Sequence, residues 1–456
     1  MRSSADVVIC GAGIAGISAA YHLSVQHGIK DIVLVDDRPP LSLTSDKSTE
    51  CYRNWWPGPG NAMVALMNRS IDLMENLARQ SSNVFHLNRR GYLYLTADPM
   101  RLDEFIRAAC EPPTLGAGDL RVHQGRADDP GYQPAPAEGF EGQPTGADLI
   151  LDSKLIREHF PHLSERVIAA LHVRRAGWFS AQQLGMYLLD QARAQGVRLV
   201  NARIANVRTV NGCVDSVELD NGDILATRNF VNAAGPFLKE VGHLLGVELP
   251  VFCELHLKVA FKDVLGVVQR NAPLLIWTDP QRLVWSPDEQ AILQEDESTL
   301  AFLEEMPAGV HTRPEGGPES DILLMLWEYR NHETLPFLPP PLDEQYPEIV
   351  LRGLATMIPG LRAYIDRVPR PTLDGGYYTK TRENRPLIGP LPVGGAYLIG
   401  ALSGYGLMAS CAAGELLAAH LAGQTLPPYS SAFSLERYQD PAYLSLLGQW
   451  GESGQL

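Results

Sequence analysis

At 456 residues, with 45% hydrophobic and 20% charged side chains, the chain has the composition of a globular protein large enough for two interleaved domains. Its formal charge of −15 argues against nucleic acid or an anionic membrane surface as partner. The six cysteines are scattered without metal-ligand spacing, no apolar run approaches the roughly 18 residues of a membrane span, and the first apolar stretch ends at Cys10. Free thiols, no signal peptide and a cytoplasmic location are therefore expected.

In chain order, Asp6–Cys10 reads as a short buried strand, 14–25 as a helix and Asp31–Asp36 as a second strand rich in Ile and Val. Residues 61–79 carry Met63, Leu66, Met67, Ile71, Leu73 and Met74 at helical spacing, and 91–95 alternate like a strand. The Gly-, Pro- and Asp-rich stretch 111–148 reads as an irregular lobe. A helix over 181–195 leads into short strands, two of them joined by a turn at Asn211-Gly212, and then into a strand at 229–236 that ends in small residues. From about 250 to 350, β-like stretches at 255–261, 274–277 and 322–329 flank a polar segment at 286–305. An α/β pattern then returns with a strand at 396–399, a Gly-rich turn and a helix over 408–421.

Gly11-x-Gly13-x-x-Gly16 directly follows the first strand and opens the first helix. The first glycine permits the tight turn, the second lets the backbone approach a pyrophosphate, and the third lets helix and strand pack closely. Ala12, Ile14 and Ala15 lie within this turn, and the helix N-terminus presents unpaired N–H groups to phosphate. Asp36, or its neighbour Asp37, ends the second strand where an acid binds ribose hydroxyls. NAD and FAD share this fingerprint, but three later segments favour FAD. The 44–49 loop is dense in hydroxyls (Thr44, Ser45, Ser48, Thr49). Ala234 and Gly235 end a second small-residue strand. Gly404, Tyr405, Gly406, Leu407 and Met408 form a second Gly-rich turn entering a helix, suited to the electron-rich pyrimidine edge of a flavin.

These segments, in this order, resemble the D-amino-acid oxidase superfamily, the group that includes glycine oxidase, sarcosine oxidase and dimethylglycine dehydrogenase. The likeness is strongest at 7–36, 229–236 and 375–421, moderate at 44–56 and poor at 111–148 and 255–345. It implies an α/β fold: a Rossmann-type, glutathione-reductase-like FAD-binding domain, roofed by a mainly antiparallel-sheet α+β substrate domain. The FAD-binding domain is expected at 1–82, 149–248 and 350–430, the substrate domain at 83–148 and 249–349, and a C-terminal tail at 431–456. The implied reaction takes hydride from the carbon beside an amine nitrogen of an amino acid or N-substituted amino acid, and the resulting imine hydrolyses. A non-catalytic flavin-binding regulatory or electron-transfer subunit is the alternative.

The resemblance places Arg53 where sarcosine oxidases bind the substrate carboxylate, a task suited to a two-pronged guanidinium. Tyr378 falls at an active-site tyrosine, and Arg330, near Leu326, at positions of substrate and oxygen contact. Met408 departs from a family lysine, and Ile204 falls among the cofactor-binding positions. His311 and Arg313 concentrate ionisable groups at a strand and turn, where either a catalytic role or a solvated turn fits. Trp55 and Trp56 are candidates for either a pocket wall or the core. FAD is expected to be non-covalent, because the segments Gly375-Gly376-Tyr377 and Asp46-Lys47-Ser48 hold neither of the nucleophiles by which relatives attach it. The expected partner is a small amine or amino acid, with homo- or hetero-oligomers left open and no metal site.

Overall fold

A computed structural model describes residues 2–317, 319–365, 367 and 369–449. Its centre is a six-stranded sheet in the order Arg198–Asn201, Ile32–Asp36, Val7–Cys10, Phe230–Asn232, Ala396–Gly400 and Leu387–Pro390. The first five strands are parallel and the last is antiparallel. Val7, Val8 and Ile9 are completely buried, as a strand covered on both faces requires. The helices Ile14–Tyr21 and Gly406–Leu421 pack together on this sheet. Their contact is close because Gly414 faces Ser18: a Cβ there would lie 2.3 Å from Ser18 Oγ, which donates to the Ser410 carbonyl at 2.8 Å.

The first helix is shorter than the sequence pattern suggests. It gives way to a π-helical turn at His22–Gln26, where the Ser24 hydroxyl donates back to the Ala20 carbonyl at 2.7 Å. Such back-bonding competes with the regular ladder. The expected turn at Asn211-Gly212 forms, with φ of 52° and 77°, and joins the antiparallel strands Ile204–Val210 and Cys213–Leu219 of a separate four-stranded sheet. The polar segment at 286–305 contains the helix Pro287–Gln294, started by a reciprocal capping box between Ser286 and Glu289.

The roof is a ten-stranded mixed sheet built largely from Tyr92–Thr96, Phe252–Lys262, Leu274–Trp277, His311–Glu315 and Ile322–Leu326. Two of its strands correct the expected domain division. Ala169–Val173 pairs with Tyr92–Thr96, and Thr372–Lys380 pairs along nine positions with Phe252–Lys262, although both fall in segments assigned to FAD binding. The lobe over 111–148 also contributes Leu120–His123 and part of Ala147–Ile150 to this sheet. Long-range pairing fixes sheet membership, and local composition does not carry it. No helix among the described residues is long and apolar enough to cross a membrane.

Candidate active site and cofactor cleft

A cleft opens where the Gly-rich turns of both sheet halves meet the roof. It is lined by Gly13, Ile14, Ala15, Thr44, Ser45, Ser48, Gly235, Gly404, Gly406 and Leu407, with Tyr378 on the roof side. The turn after the first strand is packed to contact. A Cβ on Gly11 would lie 2.4 Å from the Ala233 carbonyl oxygen, and one on Gly16 would lie 2.0 Å from that of Gly11. At Gly13 the nearest atom is Ser45 Oγ at 3.4 Å, and that hydroxyl accepts from the Ile14 N–H at 3.0 Å. Close packing behind and open backbone in front fit a pyrophosphate at the helix N-terminus.

Asp36 ends its strand and accepts from the Ala12 N–H at 2.8 Å, which fixes the carboxylate beside the glycine turn. Asp37 turns instead to Arg38 and Arg203. Ala234 follows the small-residue strand end, and its N–H donates to Asn232 Oδ1 at 3.2 Å. The far wall is strained: Ala401 and Ser403 have φ of 51° and 47°, a region that costs non-glycine residues free energy and that clusters at ligand sites. Tyr405 braces this turn by donating to the Asn384 carbonyl at 2.7 Å. Met408 is buried in the first turn of its helix, and Ile204 opens a strand of the separate four-stranded sheet, outside the cleft lining.

Arg53 lies on the short strand Cys51–Arg53, only 2% exposed. Its Nε donates to the Trp55 carbonyl at 3.1 Å, and its guanidinium lies 4.4 Å from the Trp56 ring centroid and 5.5 Å from that of Tyr92. Trp56 in turn meets Tyr405 edge-on at 5.1 Å, linking Arg53 to the turn that walls the cleft. Arg53 and Trp55 line an apolar pocket with Tyr94, Phe105 and Leu171. Both tryptophans are therefore buried and in contact with the site at once.

The remaining candidates divide. His311 is buried, and its Nδ1–H donates to the Gly309 carbonyl at 2.8 Å. Burial lowers its pKa, with the Arg53 and His256 charges adding to that effect against the opposing pull of the Gly309 bond and Glu328. Arg313 is fully buried, but its groups are committed. Nε donates to the Thr49 carbonyl at 2.7 Å, and the guanidinium pairs with Glu315 at 2.5 Å and Glu50 at 3.6 Å. Arg330 is corrected in the same way: it is exposed, pairs with Asp343 at 3.4 Å, donates to the Ser298 carbonyl and lies over Phe302. Leu326 is buried in its strand opposite His311. Neither Arg313 nor Arg330 lines the pocket of Arg53, and Arg330 lines a different one with His256 and Glu328.

Three residues were missed. His256 is buried between the carboxylates of Glu254 and Glu328 and stacks on Tyr378 at 4.0 Å. The signal was present as Glu254, His256 and Lys258 alternating with apolar residues on a strand, which puts three ionisable groups on one face.

The model of the DAO family, described as FAD dependent oxidoreductase, matches residues 6–420, and the chain belongs to this family. The chain is 27% identical over 278 residues to mitochondrial dimethylglycine dehydrogenase of Homo sapiens, covering 60% of this chain and 28% of that protein. It is 26% identical over 269 residues to the mitochondrial pyruvate dehydrogenase phosphatase regulatory subunit of Mus musculus, covering 56% and 25%. The chain therefore spans under a third of the length of the curated relatives it matches. Among solved structures, L-proline dehydrogenase from P. horikoshii superposes with a TM-score of 0.73 at 18% identity, covering 96% of this chain and 99% of that one. Glycine oxidase from Geobacillus kaustophilus gives 0.71 at 17% identity, with the same coverage.

Proposed function

We propose that the chain oxidises an amino acid or N-substituted amino acid at the carbon beside its amine nitrogen, giving an imine that water hydrolyses. FAD, held without a covalent bond, supplies the hydride acceptor. The carrying observation is Arg53: a buried guanidinium fixed by Trp55 and Trp56 at the inner end of an apolar pocket, with Trp56 touching the cofactor-cleft turn. That placement suits a substrate carboxylate, because a desolvated arginine binds it through two parallel hydrogen bonds.

Tyr94, Phe105 and Leu171 offer apolar contact to a substrate side chain, and the Glu104, Glu111 and Asp279 carboxylates on the same pocket suit the substrate ammonium. His311 suits the proton step. Its Nδ1–H is committed to the Gly309 carbonyl, so Nε2 carries the lone pair that can accept a proton from the substrate ammonium. The amino acids for which dimethylglycine dehydrogenase, L-proline dehydrogenase and glycine oxidase are named support an amino-acid substrate class. The test is anaerobic: a panel of amino acids and N-methyl amino acids is mixed with the FAD-loaded protein. Bleaching of the yellow band by a panel member supports the reading, and no bleaching by any of them favours a regulatory flavoprotein.

A further inference from the structure

We propose that His256 is a positioning residue of the FAD site, a buried imidazolium clamped between Glu254 and Glu328 whose flat stack on Tyr378 sets the roof of the cofactor cleft and offsets the negative charge behind it. The register creates the arrangement. Glu254 lies opposite Tyr378, and His256 opposite Gly376, on the paired strands Phe252–Lys262 and Thr372–Lys380. Across from His256, the absence of a side chain at Gly376 lets the 44–47 loop pack against the sheet (a Cβ there would lie 2.9 Å from Lys47 Cβ), and Tyr378 meets His256 as its diagonal neighbour. The two rings meet at 4.0 Å with only 17° between their planes. Tyr378 itself lines the cleft.

The protonation state follows from the partners. Nε2 lies 3.1 Å from Glu254 Oε2, and Nδ1 lies 2.9 Å from Glu328 Oε1, the latter as an ion pair off the hydrogen-bond axis. A neutral imidazole has one N–H and would turn a lone pair on one of the two carboxylates, whereas an imidazolium presents a charge that both attract. Lys380 supplies the second cation, 3.0 Å from Glu254, and His311 and Tyr346 are the other titratable groups facing Glu328. Burial by itself lowers the His256 pKa, and the two carboxylates raise it above its ordinary value. A buried charge cluster of this kind is a poor way to gain stability, since apolar residues of similar volume do as well. Its placement behind the cleft wall gives it a use: FAD gains negative charge when reduced, and His256 with Lys380 offsets the two carboxylates that would otherwise disfavour that state.

The proposal rests on FAD binding, which family membership gives, and not on the identity of the amine. His256→Phe keeps a flat ring without charge, and His256→Gln removes both ring and charge. Both variants, loaded with FAD, are expected to show a lower midpoint potential than the parent protein. Only His256→Gln is expected to change the shape of the visible flavin band, because only it frees Tyr378. Unchanged potentials in both variants overturn the proposal, as does a potential that falls in His256→Gln alone. If either variant fails to retain FAD, NMR of the histidine-labelled parent protein decides. An imidazolium that persists as the pH rises above the ordinary histidine value supports the proposal, and a neutral ring there overturns it.

Discussion

Arg313 donates from Nε to the carbonyl of Thr49 at 2.7 Å, tying a roof strand to the loop that follows the second strand of the cofactor sheet. Lys258 does the same from a second roof strand, reaching the carbonyls of Asp46 and Ser48 at 3.1 and 3.2 Å. Lys47 closes a third link to Asp374 at 2.8 Å. The loop that carries Thr44, Ser45 and Ser48 into the cleft is thus held by cations of the opposite domain. Arg313→Met is expected to weaken FAD binding without touching any cleft residue, measured as faster flavin loss on dilution. Retention equal to that of the parent protein would show that the loop holds its shape alone.

Arg53→Ala is expected to weaken binding of the best substrate by about 2–5 kcal/mol, the range for removing one partner of a desolvated charge pair. Flavin content should stay at the parental level. The measurement is the substrate concentration dependence of anaerobic bleaching, and an unchanged apparent affinity removes Arg53 from the carboxylate site.

The three fingerprint glycines should not behave alike. A Cβ at Gly11 or Gly16 strikes backbone at 2.4 or 2.0 Å, so alanine there disrupts the protein even before cofactor is added. Alanine at Gly13 meets only a hydroxyl at 3.4 Å and should leave the apoprotein intact while lowering FAD affinity by at least about tenfold. Thermal melts of apoprotein and titrations with FAD separate the two effects.

The charge cluster behind Tyr378 predicts stability lost at both ends of the pH range. Burial pushes the Glu328 pKa up, but the adjacent His256 charge, with Lys380 and His311 adding to it, holds the carboxyl at about 2, against an ordinary 4.5. Its contribution is complete above 4.5 and disappears as the pH falls toward about 2. His256, with its pKa raised, contributes fully below its ordinary 6.5 and loses that contribution as the pH rises through the folded value. In Glu328→Gln the alkaline loss should begin at lower pH, because one of the two carboxylates holding the proton is gone. Melting temperature against pH, with parent and variant side by side, reads both limbs.

Reaction of the reduced protein with oxygen should be slow. The position compared with the cationic residue of fast sarcosine oxidases is Leu326, and it lies buried within the uncharged strand Ile322–Leu326. A cation at the reaction centre stabilises the negative charge that forms on oxygen. Stopped-flow reoxidation in air-saturated buffer should lag far behind reoxidation by a quinone or dye. Reoxidation by air as fast as substrate turnover would refute it.

The cofactor half was legible because its signals are local: glycines at fixed spacing, a strand before them, a helix after and an acid one strand later. Five of the expected residues, Gly13, Ser45, Gly235, Gly404 and Leu407, meet on one cleft, although they come from four separate segments, while Asp37 and Ile204 lie outside its lining. The substrate half was less legible because its signals are long-range. Nothing near residue 372 announces that its strand belongs to the roof, since its partner Phe252–Lys262 lies more than a hundred positions back, and Ala169–Val173 joins Tyr92–Thr96 across about 75. Arg53, Arg313 and Arg330 look equivalent as isolated arginines, and only their neighbours distinguish them. Arg53 lines the pocket with Trp55, whereas Arg313 is tied to Glu315 and Thr49 and Arg330 to Asp343. His256 was hidden for the opposite reason, since its partners Glu254 and Glu328 are 74 residues apart and meet only through the sheet.

The central strand Phe230–Asn232 hydrogen-bonds to Val7–Cys10 on one side and Ala396–Gly400 on the other, so the first and last parts of the chain share one seam. This has a consequence for biogenesis. A ribosome makes the phosphate turn first and the Leu402–Leu407 wall about four hundred residues later, so a growing chain carries the fingerprint for most of its synthesis without a complete place for FAD. Flavin loading is therefore a late event that waits for the C-terminal strand to enter the sheet. Flavin shortage should leave the chain to accumulate as full-length apoprotein rather than as stalled N-terminal fragments.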